Sequence, residues 1–222
     1  VVLYVLELWL AVTLALAALD WLWRGSPGLL AQALQWASRL LPADQRLQAT
    51  DVTGSLRAGG RILALRWSQG DLVVDARDID VRWEPEALWS GRLQVPRLHV
   101  ADLRVEDRRP ASDAPLPELV LPLQVDIAWE VDRLRWAGPP ALEVQGLRAQ
   151  YVHDGTQHLL RIAQARIAQG QYQAEVRLQA RAPMALALEA RGRVTVPVGA
   201  VAMPLDFHGT LQGALAARDA TL

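Results

Sequence analysis

Apolar and polar residues alternate along most of this chain, with two exceptions near its start. Val1 to Leu19 is apolar except for Tyr4, Glu7 and Thr13. As a helix this run would span about 28 Å, close to the roughly 30 Å hydrocarbon core of a bilayer. Asp20, Trp21, Trp23 and Arg24 come next, and amphipathic aromatics of this kind collect at membrane boundaries. The expectation is an uncleaved single-pass anchor over residues 1–24. Leu3, Leu6, Leu10, Leu14, Leu16, Trp21 and Trp23 are its membrane-facing candidates, with Glu7 near one interface. A cleaved signal peptide is the rival reading, because Ala15-Leu16-Ala17 resembles a cleavage site.

The second exception has helical spacing. Ser26-Pro27 suits an N-cap and the first helical position. Leu30, Ala33, Leu34, Ala37, Leu40 and Leu41 then recur on one face, opposite Gln32, Gln35, Ser38 and Arg39, until Pro42 ends the run. This predicts an amphipathic helix over 25–42. It lies on the membrane or stoppers one end of the β structure.

From about residue 43 to 222 the period is two, as in strands. Only Glu84 to Ser90 looks helical. Leu63, Leu65 and Trp67 alternate between Gly59-Gly60 and Gln69-Gly70, which read as turns. Leu72, Val74 and Ala76 share one parity, whereas Ile79, Val81 and Trp83 share the other. A parity change without a turn signal implies a bulge or sharp bend at Arg77-Asp78. The device recurs as Leu93, Val95, then Leu98, Val100, then Leu103, Val105. Leu142, Val144, Leu147, Ala149 and Ile162, Ala165, Ile167 echo it. A five-residue step suits strands that bend while keeping apolar side chains on the inside of a curve.

Residues 106–118 form a polar, Pro-rich excursion that predicts an exposed loop. Leu119, Leu121, Leu123, Val125, Ile127, Trp129 and Val131 then alternate without a break. Asp154-Gly155 signals a type I′ hairpin. Strands counted as far as Leu188 suggest about a dozen, a sheet roughly 55 Å long at 4.8 Å per strand. The fold class expected is mainly β, an elongated curved sheet with an apolar concave face. No helices remain to cover that face, so it closes on itself or holds a ligand. The groove candidates are Leu63, Leu65, Trp67, Val81, Trp83, Leu93, Val95, Leu121, Leu123, Val125, Ile127 and Trp129.

Composition narrows the function. The chain of 222 residues carries a net charge of −1, and its basic residues are scattered arginines. Nucleic acid is therefore disfavoured as a partner. With no cysteine, there is no disulfide framework or thiolate chemistry. No motif supplies a nucleophile, a general base or a phosphate loop, so no cofactor and no enzyme are expected. His153 and His158 could meet across the Asp154-Gly155 turn. No third ligand has a diagnostic spacing, and exposed hairpin histidines are the default expectation. Asp78 and Asp80, like Asp126, Glu130 and Asp132, read as a solvated face. The apolar start places the β region outside the cytoplasm, in a bacterium the periplasm. The final Arg-Asp-Ala-Thr-Leu stops inside an alternating pattern, so the chain reads as a fragment of something longer.

Gly25 to Glu106 resembles the N-terminal region of the TamB family, the inner-membrane subunits of the bacterial translocation and assembly module. The likeness rests on an ordered set of segments. An anchor leads to a short helix ending in Leu41-Pro42. Val-Thr-Gly-Ser-Leu (Val52 to Leu56) and Leu-Ala-Leu-Arg-Trp (Leu63 to Trp67) come after it. Next are Asp-Ile-Asp-Val-Arg-Trp (Asp78 to Trp83), Ala-Leu-Trp-Ser-Gly (Ala87 to Gly91) and the Leu-x-Val repeats. From residue 115 onward only the strand pattern is similar, and other AsmA-like proteins share the plan. The resemblance implies a taco-shaped or tubular sheet bridging the periplasm. It implies phospholipid as cargo toward the outer membrane, and support of autotransporter assembly with an outer-membrane TamA-like partner. That partner would be reached through a C-terminal region absent from this sequence. A chaperone-like scaffold offering sheet edges to client strands, and a closed structural β domain, are the competing readings.

Overall fold

The computed structural model describes residues 30, 31, 34, 44–55, 57, 59–109, 118–198 and 201–215. Among them lie ten strands: β1 (Gln45–Ser55), β2 (Gly59–Gln69), β3 (Leu72–Glu84), β4 (Arg92–Asp107), β5 (Gln124–Trp136), β6 (Leu142–His153), β7 (Gln157–Ile167), β8 (Gly170–Gln179), β9 (Ala185–Val198) and β10 (Val201–Ala214). They form one open sheet in sequence order. The helical stretch expected near Glu84 is a 3-10 turn over Pro85–Ser90, ended by Gly91 in the left-handed region.

The expected anchor over 1–24, with Leu3, Leu6, Leu10, Leu14, Leu16, Trp21 and Trp23, lies outside the described residues. Most of the expected helix over 25–42 does too, although Leu30, Ala31 and Leu34 are helical. Among the described residues no helix is long and apolar enough to cross a membrane.

Neighbouring strands pair antiparallel except β4 with β5, which run parallel. The Pro-rich excursion is the crossover that this pairing requires. Its residues 110–117 lie outside the described set.

The five-residue step has two physical origins. The first is a fold line shared by six strands. Along it the register passes over Asp51, Leu63, Asp78, Ala101, Asp132 and Gly146, which lie side by side. Asp51, Asp78 and Gly146 take φ of 50°, 49° and 58°, a left-handed conformation that reverses the alternation for one residue. Residues i and i+3 therefore both face inward across the line. The core consists mainly of these pairs, Ala49/Val52, Ile62/Leu65, Ala76/Ile79, Val100/Leu103, Val131/Leu134 and Val144/Leu147, joined by Ile162/Ala165 at a bulge of β7 against β8. Val131 is 1% exposed. A single sheet can bury a side chain this deeply only where it folds back over its own face, or where Leu34 reaches it.

The second origin is local. Between Val95 and Leu98 strand β4 carries one residue more than β5, where Ile127 and Trp129 are two apart. Pro96, which cannot donate to a ladder, occupies this bulge.

Strands β8 to β10 lack the fold line. Their register runs unbroken from Gly170↔Val194 to Leu178↔Leu186, and from Val201↔Val198 to Ala214↔Ala185.

Candidate functional site

The feature that distinguishes this molecule is the inner face, the one bearing the core. Its rows run across the strands. Val81, Leu98, Trp129, Ala149, Ile162, Ala174 and Ala190 form one row through successive pairings. The next holds Val95, Ile127, Tyr151, Leu160, Val176, Leu188 and Leu211. The next after that holds Leu93, Val125, His153, His158, Leu178 and Leu186. Alternation places these side chains on one surface, so an unbroken apolar strip crosses six or more strands.

The structure gathers most of the groove candidates onto this strip. Leu65 and Trp129 pack against the core, and Val95 and Val125 are buried. Val81, Trp83, Leu93 and Ile127 are half-buried, and Leu123 is half-buried just before β5 begins. Trp67 is half-buried on the far side of the fold line, paired with Val74. Two candidates stand apart. Leu63 sits at the fold line itself, 47% exposed. Leu121 belongs to no strand and is 39% exposed.

Leu121 stands apart because the expected single strand from Leu119 to Val131 starts only at Gln124. Pro122 has no N–H to give a ladder. Residues 118–123 instead form a strap over one end of the inner face. Leu119 N donates to Ala180 O at 3.0 Å, Ala182 N to a Glu118 carboxylate oxygen at 3.3 Å, and Gln124 N to Gly91 O at 3.0 Å.

Beneath the strap lie Ala180 and Met184, both 0% exposed. His153 and His158 are there too, at 1% and 9%. They are not the exposed hairpin histidines that the sequence predicts, because the parity of Ala149 and Ile162 turns both rings inward. The rings stack with centroids 4.4 Å apart. His158 donates from Nε2 to Leu119 O at 2.7 Å. The Tyr151 hydroxyl bonds its Nδ1 at 2.7 Å, and burial pushes that phenol above its ordinary pKa. The carbonyl can only accept, so the assigned tautomer has Nε2–H, with Tyr151 as donor to Nδ1. His153 donates from Nδ1 to Gln157 O at 3.2 Å, and its Nε2 is buried without a partner. Among the described residues no third His, Cys, Asp or Glu joins the pair to make a metal-binding group. The connection between the two strands is three residues rather than a two-residue turn. The Asp154 carboxylate accepts from Thr156 N, Gln157 N and the Thr156 hydroxyl at 2.7–2.9 Å, which holds it well below the usual carboxylate range.

Sequence reasoning stops at Leu188 and misses the most open part of the strip. On β10 Met203, Leu205, Phe207 and Leu211 share the inward parity and are 48%, 53%, 42% and 49% exposed. Their alternation is present in the sequence, but Pro197, Pro204 and Gly209 interrupt it. Phe207 and Tyr172 meet over Gly192 at 5.7 Å between centroids. A Cβ there would lie 2.2 Å from the Phe207 ring, so the two aromatics occupy the space that a side chain would fill.

The opposite face is ionic. Arg61–Asp78, Arg66–Asp75, Arg135–Asp102, Arg161–Glu175 and Arg193–Asp206 join partners on adjacent strands at 2.6–3.3 Å. Asp132 meets His99 and Glu130 meets Arg148, as a solvated face requires. A shallow depression of about 430 Å³ on this face is lined by Arg66, Asp75, Arg77, Asp102, Arg104 and Arg135 among others, so its charged rim suits water rather than hydrocarbon. Comparison with protein-family models, with curated proteins and with solved structures returns no match for this chain.

Proposed function

We propose that the chain is a lipid-holding groove at the inner-membrane end of a bridge across the bacterial periplasm. Acyl chains lie along the apolar strip, and the ionic outer face stays in water. The observation that carries this reading is the open sheet with a continuous apolar inner face, in which β10 leaves large side chains about half exposed. Monomeric soluble domains rarely leave so large a connected apolar surface uncovered. In this reading the fold line gives the sheet a taco-like cross-section, and the strap covers part of one rim of the trough.

The resemblance of Gly25 to Glu106 to TamB-type proteins supports phospholipid as cargo, with the outer membrane as destination. It also supports a role in outer-membrane protein assembly with a TamA-like partner. No catalytic step is part of this reading. Mass spectrometry of the gently purified protein tests it. Stoichiometric phospholipid should co-purify and should be lost when Val176 and Leu188 are both replaced by Asp. Protein that is lipid-free from the start contradicts it.

A structural β domain is the second reading, and the fold line favours it. Ile62, Ala76, Ile79, Val100 and Val131 are at most 6% exposed, so that part of the trough is filled by its own side chains. The two readings divide the sheet between them, with a self-packed part from β1 to β7 and an open part from β8 to β10.

A further inference from the structure

The end of the sheet bearing the 3-10 turn carries apolar side chains outside the trough. Leu88 and Trp89 at the turn are 38% and 72% exposed. On the strap, Leu119, Val120 and Leu121 are 42%, 45% and 39% exposed. Turn and strap are joined, since Gln124, where the strap enters β5, donates its N–H to Gly91, which ends the turn.

The chain's helical residues reach the sheet from this same end. Leu30 lies against Gly60, with its Cδ2 3.0 Å from where a Cβ would stand. Gly60 pairs with Val81, four residues before the turn. One helical turn later, Leu34 packs at the fold line. Of the described helical residues, Leu30 therefore lies toward the Trp89 end and Leu34 against the core.

We propose that this end of the sheet docks on the surface of a zwitterionic bilayer, with Trp89 and the strap at the headgroup–acyl boundary. The inference rests on the lipid-groove reading in taking the apolar N-terminal run as the membrane segment. It adds which rim of the trough meets the bilayer and through which side chains. An indole has an apolar body and one polar edge, which suits that boundary. The charges around the patch choose the lipid. Glu84, Glu86 and Glu118 are matched by Arg82, Arg92 and Arg181, and all six are exposed, so the patch carries no net charge to seek an anionic surface and apolar burial drives the contact.

The absence of cysteine allows a single reporter at any position. The full chain is reconstituted into phosphatidylcholine vesicles carrying an acyl-chain quencher. A polarity-sensitive dye is placed at L88C, V120C, Q173C on the outer face, or V176C in the trough. Quenching several-fold stronger at 88 and 120 than at 173 is the expected result. Equal quenching at 88, 120 and 173 overturns the docking. Position 176 separates the two readings. Quenching there without quenching at 88 and 120 leaves the groove and removes the docking, and the reverse leaves the docking and removes the groove.

Discussion

Strands β1–β7 and β8–β10 are built from the same alternation of apolar and charged residues, yet they bury their apolar faces to very different degrees. In the first group one residue per strand breaks the alternation, and the breaks line up. Side chains three apart then converge, and Val131 falls to 1% exposure. In the second group nothing breaks the alternation, and Leu205 remains 53% exposed. Full burial of one such side chain stabilises by about 1.5–3 kcal/mol, and the side chains of β10, 42–53% exposed, forgo about half of it. A sheet with one apolar face fills itself where its strands crease along a common line. Where they do not, the face stays available to something else.

The largest expected effect is a buried charge at the crease. Val131→Asp should cost about 3–5 kcal/mol in urea unfolding, because it places a carboxylate at a site 1% exposed. Leu205→Asp should stay within about 1 kcal/mol. Equal losses at the two positions would erase the contrast. Next come cavities. Leu147→Ala should cost about 2–4 kcal/mol, since Leu147 is 6% exposed and packed in the core. Leu211→Ala in the open part should cost under about 1 kcal/mol by the same measurement.

The fold line itself has a smaller signature. Gly146 takes φ of 58° and lies 3.1 Å from the Arg166 guanidinium at the position a Cβ would fill. Gly146→Ala should therefore cost about 1–2 kcal/mol of left-handed strain. Gly209→Ala, where a Cβ meets nothing within 4 Å, should be neutral to within about 0.5 kcal/mol in thermal unfolding.

The smallest effect is expected to be the same in both regions, because solvated arginine–carboxylate pairs lie in both. Hydrogen bonds from Arg109 hold Asp107 on β4 at about 2, against an ordinary 3.8. Arg193 holds Asp206 on β10 below its usual value in the same way. Both carboxyls are depressed in the fold, so their contribution is present above the unfolded value and fades as pH falls through the folded one. Carbon-13 titration of the side-chain carboxyls should place the Asp107 midpoint near 2. Asp107→Asn should flatten the acid limb of stability slightly below pH 4. Since solvent screens both groups, a large loss from Asp107→Asn would mean that these ion pairs matter more than their exposure implies.

Much of this contrast is legible in the residues. The parity change at Arg77-Asp78 is the fold line itself, the echo at Val144/Leu147 is the same line crossing β6, and Ile162/Ala165 is a bulge of β7 against β8. The strand start near Arg46 and the short helical turn before Gly91 are also written locally. What is not legible depends on partners distant in sequence. Nothing in 106–118 distinguishes a hairpin loop from a parallel crossover. His153 and His158 look like turn residues until the strap covers them. The step from Val95 to Leu98 has the same spacing as the step from Val100 to Leu103, although one is a bulge in β4 alone and the other a crease shared by six strands. Leu63 keeps apolar parity with Leu65 on paper, but the fold line falls between them.

Everything proposed for the trough turns on lipid acyl chains covering the open part of the inner face. Site-specific photocrosslinking in cells reads that cover itself, with a photoreactive residue at Val176 on the inner face and at its outward neighbour Arg177. Phospholipid adducts at 176 and few at 177 are expected. Protein adducts alone at 176, or lipid adducts of equal yield at both positions, would mean that acyl chains do not fill the trough.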